Sequence, residues 1–340
     1  MEKVVYVLGA GFSAPLGLPV MTNFILKAKD LYFSNQDEHP HFKEVFDLLN
    51  DMSVIKNFFN TDLYNIEETL SILEMTNYLN GVNEFEKFKK FIVDVIKYST
   101  PDYENLNYVP GNWHRFILGT NELSKLYGCF ISNLLGLEIF RNENQNHTRG
   151  FDVYKTSVDT TYSVISFNYD MVIENYFDFI KRNEIFYNYI KEEKWLDITK
   201  LHGCISKNNI VPPTWNKSSN KELLKEWQKS WDLLKDANQI RIIGYSLPIT
   251  DSYIKYFFKS AIMQSKHLKK IDVITLDNPN METKKRYDDF IDFNYYRFKD
   301  GNTKDYLETV FNRQFNPINI RDKKVTFNIL EDAHNYFMSN

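Results

Sequence analysis

The sequence predicts an α/β protein, a doubly wound parallel sheet carrying a large helical insertion subdomain, and three observations lead there. Five short, apolar, β-branched runs lie at Val4–Leu8, Tyr162–Ser166, Leu196–Leu201, Gln239–Gly244 and Ile271–Leu276. Each is bounded by polar or turn residues, as strands buried on both faces are. Helical stretches at Asp170–Lys181, Lys221–Asp236 and Asp251–Met263 alternate with these runs, the pattern of a parallel sheet covered by helices. Between the first two strands, roughly from Leu31 to Arg149, apolar residues recur at spacings of three and four. Examples are Ile66, Leu70 and Leu73, or Phe88, Phe91, Ile92, Val95 and Ile96, so this stretch is read as helical.

Taken in order, the first strand runs into a glycine-rich turn, Gly9-Ala10-Gly11-Phe12-Ser13, followed by Gly17 and Pro19. Gly9 and Gly11 lack a Cβ, so the backbone can bend sharply and approach a pyrophosphate, with N–H groups of the next helix facing the charge. Ser13 adds a hydroxyl donor. The glycine spacing, with Pro15 and Pro19 nearby, departs from the dinucleotide-binding fingerprint, and a tight turn without a ligand explains the same residues. Inside the insertion, Asn65 followed by Glu68 predicts a helix cap, and Thr100-Pro101 ends the next helix. The change of periodicity places the boundaries of a helical insertion over 33–151 within a Rossmann-like domain over residues 1–32 and 152–300; residues 301–340, which carry no motif, are set apart as a C-terminal helical extension.

Composition narrows the function classes. With 340 residues of which 43% are hydrophobic, the chain can bury a sizeable core. Lys plus Arg number 41 against 45 for Asp plus Glu, a formal charge of −4, which gives no global reason to bind nucleic acid or an anionic membrane. No apolar run reaches the length of a membrane span, and a cytoplasmic location is expected. Cys129 and Cys204 are the two cysteines, too few for a disulfide framework or a four-cysteine zinc site; no metal is expected.

Ligands of open parallel sheets bind beyond the carboxyl ends of the strands, and four strands end in polar clusters. The second ends in Phe167-Asn168-Tyr169-Asp170, where simple capping by Asn168 and Asp170 is the alternative. The third ends in Leu201-His202-Gly203, which presents an imidazole at a tight exit; taken singly, the residue reads as a hydrogen-bonded structural histidine. The fourth enters Gly244-Tyr245-Ser246-Leu247-Pro248 and then Asp251, with Gly244 open to backbone approach and Ser246 a donor. The fifth ends in Asp277-Asn278-Pro279, placed to bond ribose hydroxyls or to form an ordinary Asx-Pro turn.

In this order the motifs resemble the sirtuin superfamily, specifically its NAD-hydrolase branch from bacterial anti-phage defence systems. Pro212-Pro213-Thr214 after the histidine strand is similar to that branch as well. The resemblance spans residues 9 to about 280 and implies that the turn Gly9, Ala10, Gly11, Phe12, Ser13, with Pro19, Gly244, Ser246, Asp251, Asp277 and Asn278, holds NAD+. It implies that Asn168 and His202 are catalytic, with Asp170 either stabilising the transition state or fixing its loop.

The implied reaction is cleavage of NAD+ to nicotinamide and ADP-ribose, an NAD+ glycohydrolase acting as an effector that depletes NAD+ on infection. NAD+ is then the substrate, and no further cofactor is expected. The zinc module of protein-deacylating sirtuins has paired cysteines after the histidine, whereas here Cys204 stands alone; deacylation is therefore the alternative, beside a non-catalytic nucleotide-binding scaffold. Relatives of this kind assemble with a HerA-type ring ATPase or a short Argonaute, and the aromatic-rich insertion predicts a homo-oligomer or partner surface.

Overall fold

A computed structural model describes residues 1–55, 62–101, 122–141, 151–155, 160–182, 196–211, 221–315 and 328–340. Pro212-Pro213-Thr214 lies outside the described residues. Six parallel strands form the main sheet: β1 (Glu2–Leu8), β4 (Thr160–Ser166), β5 (Asp197–Lys200), β6 (Gln239–Ile243), β7 (Lys270–Thr275) and β8 (Tyr296–Asp300). Their spatial order is β5-β4-β1-β6-β7-β8. Counted along the sheet's own strands this is 3-2-1-4-5-6, the doubly wound dinucleotide-fold order. The chain reverses its direction of winding between β1 and β6, the switch point beyond whose carboxyl ends ligands of such sheets bind.

β1 explains why both sheet faces are covered. Val4, Tyr6 and Leu8 enter one core and Val5 and Val7 the other, all 2% exposed or less. On the second face lie α8 (Lys221–Lys235), α9 (Ser252–Ile262) and α10 (Glu282–Asp288), which supply Trp227, Phe258 and Tyr287 to the core.

The first face carries α6 (Glu122–Leu134), α7 (Val172–Arg182) and the C-terminal pair α11 (Thr303–Gln314) and α12 (Ile329–Ser339). α2 (Phe24–Ser34), which runs across the boundary drawn at 32/33, and the insertion helices α3 (His41–Ile55), α4 (Ile66–Asn80) and α5 (Glu84–Ser99) pack into that same core. Phe42, Phe88 and Phe91, each fully buried, belong to one continuous cluster with Tyr6, Leu8 and Phe12. Asn65 does cap α4, accepting from the Glu67 and Glu68 amides, and α5 stops at Thr100.

Two features differ from the sequence reading. The insertion is not wholly helical, since β2 (Leu137–Arg141) and β3 (Phe151–Lys155) pair antiparallel, and β3 crosses the boundary drawn at 151/152. A sixth strand, β8, pairs with β7. Its sequence Tyr-Arg-Phe-Lys-Asp alternates charge with aromatic residues, as a half-buried edge strand does, and so carries no continuous apolar run.

Candidate active site

The register builds the site. Lys200, Ser166, Leu8, Ile243 and Ile274 form one row across five strands. Gly9 and Gly244 are the first residues past that row, and Asn168 and His202 the second on their own strands. Pairing alone therefore gathers these four positions at the carboxyl edge of the sheet.

Asn168 is 7% exposed. Its Nδ2 donates to the Gly9 carbonyl at 3.0 Å and to Ser13 Oγ at 3.3 Å. A carbonyl can only accept, so this contact fixes which end of the amide faces the turn. The other end, Oδ1, is buried with no hydrogen-bond partner among the described residues. Such an acceptor costs about 1–3 kcal/mol until a donor reaches it, and a ribose hydroxyl or a water is such a donor.

His202 is 2% exposed, its ring centroid 5.2 Å from that of Phe167 and 6.1 Å from that of Tyr169. The imidazole thus lies against both chain neighbours of Asn168. Gly203 follows at φ +77°, and a Cβ there would strike the Asn209 carbonyl at 2.2 Å, so the exit after the histidine demands glycine. Asp170 is engaged locally: its Oδ1 accepts from the Val172 amide at 3.0 Å, starting α7, and its carbonyl accepts from Lys200 Nζ.

In the glycine turn, the close approach is between protein segments. A Cβ at Gly9 would lie 2.5 Å from the Gly244 carbonyl, and one at Gly244 (φ +65°) 2.3 Å from the Phe12 amide nitrogen. The glycines let the two switch-point loops touch. The amides are also used inside the protein, Gly11 N donating to Gly244 O at 2.9 Å and Phe12 N to Gly9 O at 2.9 Å. The following helix, α1 (Ala10–Ser13), has four residues, too few for a strong dipole. Ala10 is the exposed residue of the turn, while the Phe12 ring points into the core against Tyr127 at 5.2 Å. Ser13 is buried beside Asn168, and Pro19 is half-buried between the turn and α2.

The remaining predicted binders make bonds within the chain. Asp251, 1% exposed, accepts from the Tyr245 hydroxyl at 2.6 Å. The exposed Ser246 offers its carbonyl to Arg286 Nε at 3.1 Å. Asp277 accepts from the amides of Asn278, Thr283 and Lys284 at 2.8, 2.8 and 3.0 Å. Desolvation pushes this carboxyl up, and the backbone donors outweigh it and hold it below the usual range. Asn278 Oδ1 accepts from the Asn280 and Glu282 amides, both at 3.1 Å. Asp277 and Asn278 therefore build the entry to α10, as the Asx-turn alternative anticipated.

Sequence reasoning missed several contributors. Tyr245 stacks on Phe167 with centroids 4.5 Å apart, closing the wall behind the histidine. Burial pushes the Tyr245 and Tyr169 phenols well up, and the carboxylates of Asp251 and Glu67 add to it. Glu67, in the first turn of α4, thus acts on these phenols from the insertion; no spacing in the sequence connects it to strand ends a hundred residues away.

No protein-family model matches the chain and no curated protein matches it in sequence. A solved structure of Sir2, in complex with the inhibitor EX-527, 2'-O-acetyl-ADP-ribose and a deacetylated p53 peptide, is similar at 12% identity. That likeness covers 91% of this chain and 92% of the other, with a TM-score of 0.35. The α/β class and the winding order stand on the chain's own strand pairing. Among the described residues, no helix is long and apolar enough to cross a membrane.

Proposed function

We propose that the chain is an NAD+ glycohydrolase that cleaves NAD+ to nicotinamide and ADP-ribose. The observation that carries this reading is the buried, partnerless Oδ1 of Asn168, held at the switch point beside the glycine turn, with the His202 ring against its two chain neighbours. A carboxamide acceptor suits a ribose hydroxyl or the attacking water, and an imidazole suits proton removal near neutral pH.

The bond that breaks joins the ribose anomeric carbon to the pyridinium nitrogen. Its electron pair leaves with nicotinamide, which is thereby neutral, so the leaving group needs no acid. Water supplies the new bond to the anomeric carbon, and its proton passes to His202 and then to solvent. Asn168 orients that water or the ribose. General-base assistance of this kind is worth about 10²–10⁴ in rate. Asp170 positions the Asn168 loop through its cap on α7, and Ala10 presents the solvent-facing edge of the turn to the pyrophosphate.

Incubating the purified protein with NAD+, with and without an acetyl-lysine peptide, tests the reaction class. Nicotinamide and ADP-ribose in equal amounts without peptide are expected. Nicotinamide that appears only with peptide, alongside deacetylated product, contradicts the hydrolase reading and supports a deacylase; the lone Cys204 argues against that outcome, and no structural zinc is proposed.

The role we infer is depletion of NAD+ in anti-phage defence, in association with further copies of the chain or another defence protein. Most of the insertion's described aromatic residues fill the shared core, yet Phe33, Tyr78, Leu79 and Tyr98 remain 66–77% exposed, and apolar side chains in such numbers mark association surfaces. Light scattering should give a mass above the 40.5 kDa of one chain. A monomer cleaving NAD+ at full rate contradicts the association.

A further inference from the structure

The peptide planes of the glycine turn are each held from outside by a different part of the chain. Gly9 O accepts from Asn168 Nδ2 at 3.0 Å. Gly11 N donates to Gly244 O at 2.9 Å. Gly11 O accepts from Thr303 Oγ1 at 2.9 Å, and Phe12 O accepts from the Tyr127 hydroxyl. In a trans peptide the carbonyl and the next N–H point in opposite directions, so fixing one oxygen fixes the following amide.

Two of these donors lie in segments without any site motif. Tyr127 belongs to α6 in the insertion, and Thr303 opens α11 in the C-terminal extension. Each is well seated: Tyr127 is fully buried with its ring edge-on to Phe12 at 5.2 Å, and Thr303 is 3% exposed. Tyr306, one helical turn beyond Thr303 on the same face, anchors α11 to β1 through a 3.0 Å contact between its hydroxyl and that of Tyr6. Burial, then the charge of Asp170, pushes the Tyr127 phenol well up, so it remains a donor at any working pH.

We propose that Thr303 and Tyr127 are positioning residues that lock the nucleotide turn, and that the insertion and the C-terminal extension thereby set its affinity for the ADP-ribose portion of the substrate. The consequence for affinity rests on the NAD+ reading above; the locking of the turn does not. A turn held in advance loses less freedom on binding, so removing one hydroxyl should act on binding more than on bond cleavage.

The test uses Thr303→Val, which keeps the shape without the hydroxyl, Thr303→Ser, which restores it, and Tyr127→Phe, all in the full chain. In the free protein, amide hydrogen exchange of residues 9–13 should quicken about fivefold in Thr303→Val and Tyr127→Phe, the worth of one net hydrogen bond. Exchange in β4 and β6 should stay unchanged, and Thr303→Ser should lie within about twofold of the parent. Unchanged protection of the turn in both variants overturns the proposal, whatever the protein binds.

With NAD+, the Michaelis constant should rise about fivefold with kcat altered less than about twofold. Equal falls in kcat and in melting temperature, unrescued by serine, would reduce the role to stability and overturn the affinity claim. A quickened turn in a protein that neither binds nor cleaves NAD+ contradicts the glycohydrolase reading while the lock stands.

Discussion

Asn168 and Asp277 were alike in the sequence, each a short polar side chain just past a strand, and the structure separates them by what their atoms bond. Asn168 keeps one acceptor without a partner among the described residues; Asp277 bonds three backbone amides. Spacing could place both at the sheet's carboxyl edge, because the offset past each strand is a local count. It could not tell a side chain that keeps a free acceptor from one spent on caps, because that depends on whether the chain beyond turns back to supply donors. Asp277→Ala should lower stability by about 1 kcal/mol through the lost caps of α10 and leave the Michaelis constant for NAD+ unchanged. Chemical denaturation and steady-state kinetics check it; a tenfold rise in that constant with an unshifted melt would return Asp277 to the ribose site.

At the level of elements, the C-terminal pair α11 and α12 had no motif, and its role is written in a row of polar side chains across the sheet. Tyr6, Arg241, Asp272 and Arg297 stand in register on β1, β6, β7 and β8. Arg297 binds Asp272 through Nε and Nη2 at 2.7 and 2.9 Å, and His334 of α12 reaches Asp272 at 2.8 Å. Fully buried Arg241 pairs with Glu331, also of α12, so the extension supplies a counter-charge that the sheet face requires. The row brings together side chains up to 235 positions apart in the sequence, beyond the reach of any periodicity.

The same row predicts acid sensitivity. Burial, reinforced by Arg241, lowers His334 to about 4 from 6.5 although Asp272 and Glu331 oppose it. Burial acts to raise Asp272, but hydrogen bonds from Arg297 and His334 outweigh it and hold it at about 2 against 3.8. In the unfolded chain both groups take up protons more readily. Stability is therefore present above pH 6.5, falls between 6.5 and about 4 as unfolded His334 protonates, and falls again between 3.8 and about 2 with Asp272. The melting temperature should drop from pH 7 to pH 4.5, and His334→Gln should flatten that slope. A variant that keeps the parent's full slope would exclude His334 as its source.

Over the whole molecule, the central strands were legible because both their faces are buried, which writes itself as an unbroken apolar run. β8 and the pair β2–β3 were not: the first alternates charge with aromatic residues at an edge, and the second lies inside a stretch whose helical spacing dominates. The insertion's heptad-like apolar residues gave its helices but not their destination, which is the core of the sheet's first face. Around the β1 to β6 switch, strand ends, an insertion and an extension share one core and meet at the glycine turn. The proposed function requires that this site cleave NAD+ through Asn168 and His202. Nicotinamide release from NAD+ by the parent, Asn168→Ala and His202→Ala, compared at equal folded concentration, tests it most directly. Release by the parent and a loss of more than about tenfold in each variant, with melting still cooperative, is the predicted result. Parent-like release by both variants would contradict the assignment of the site.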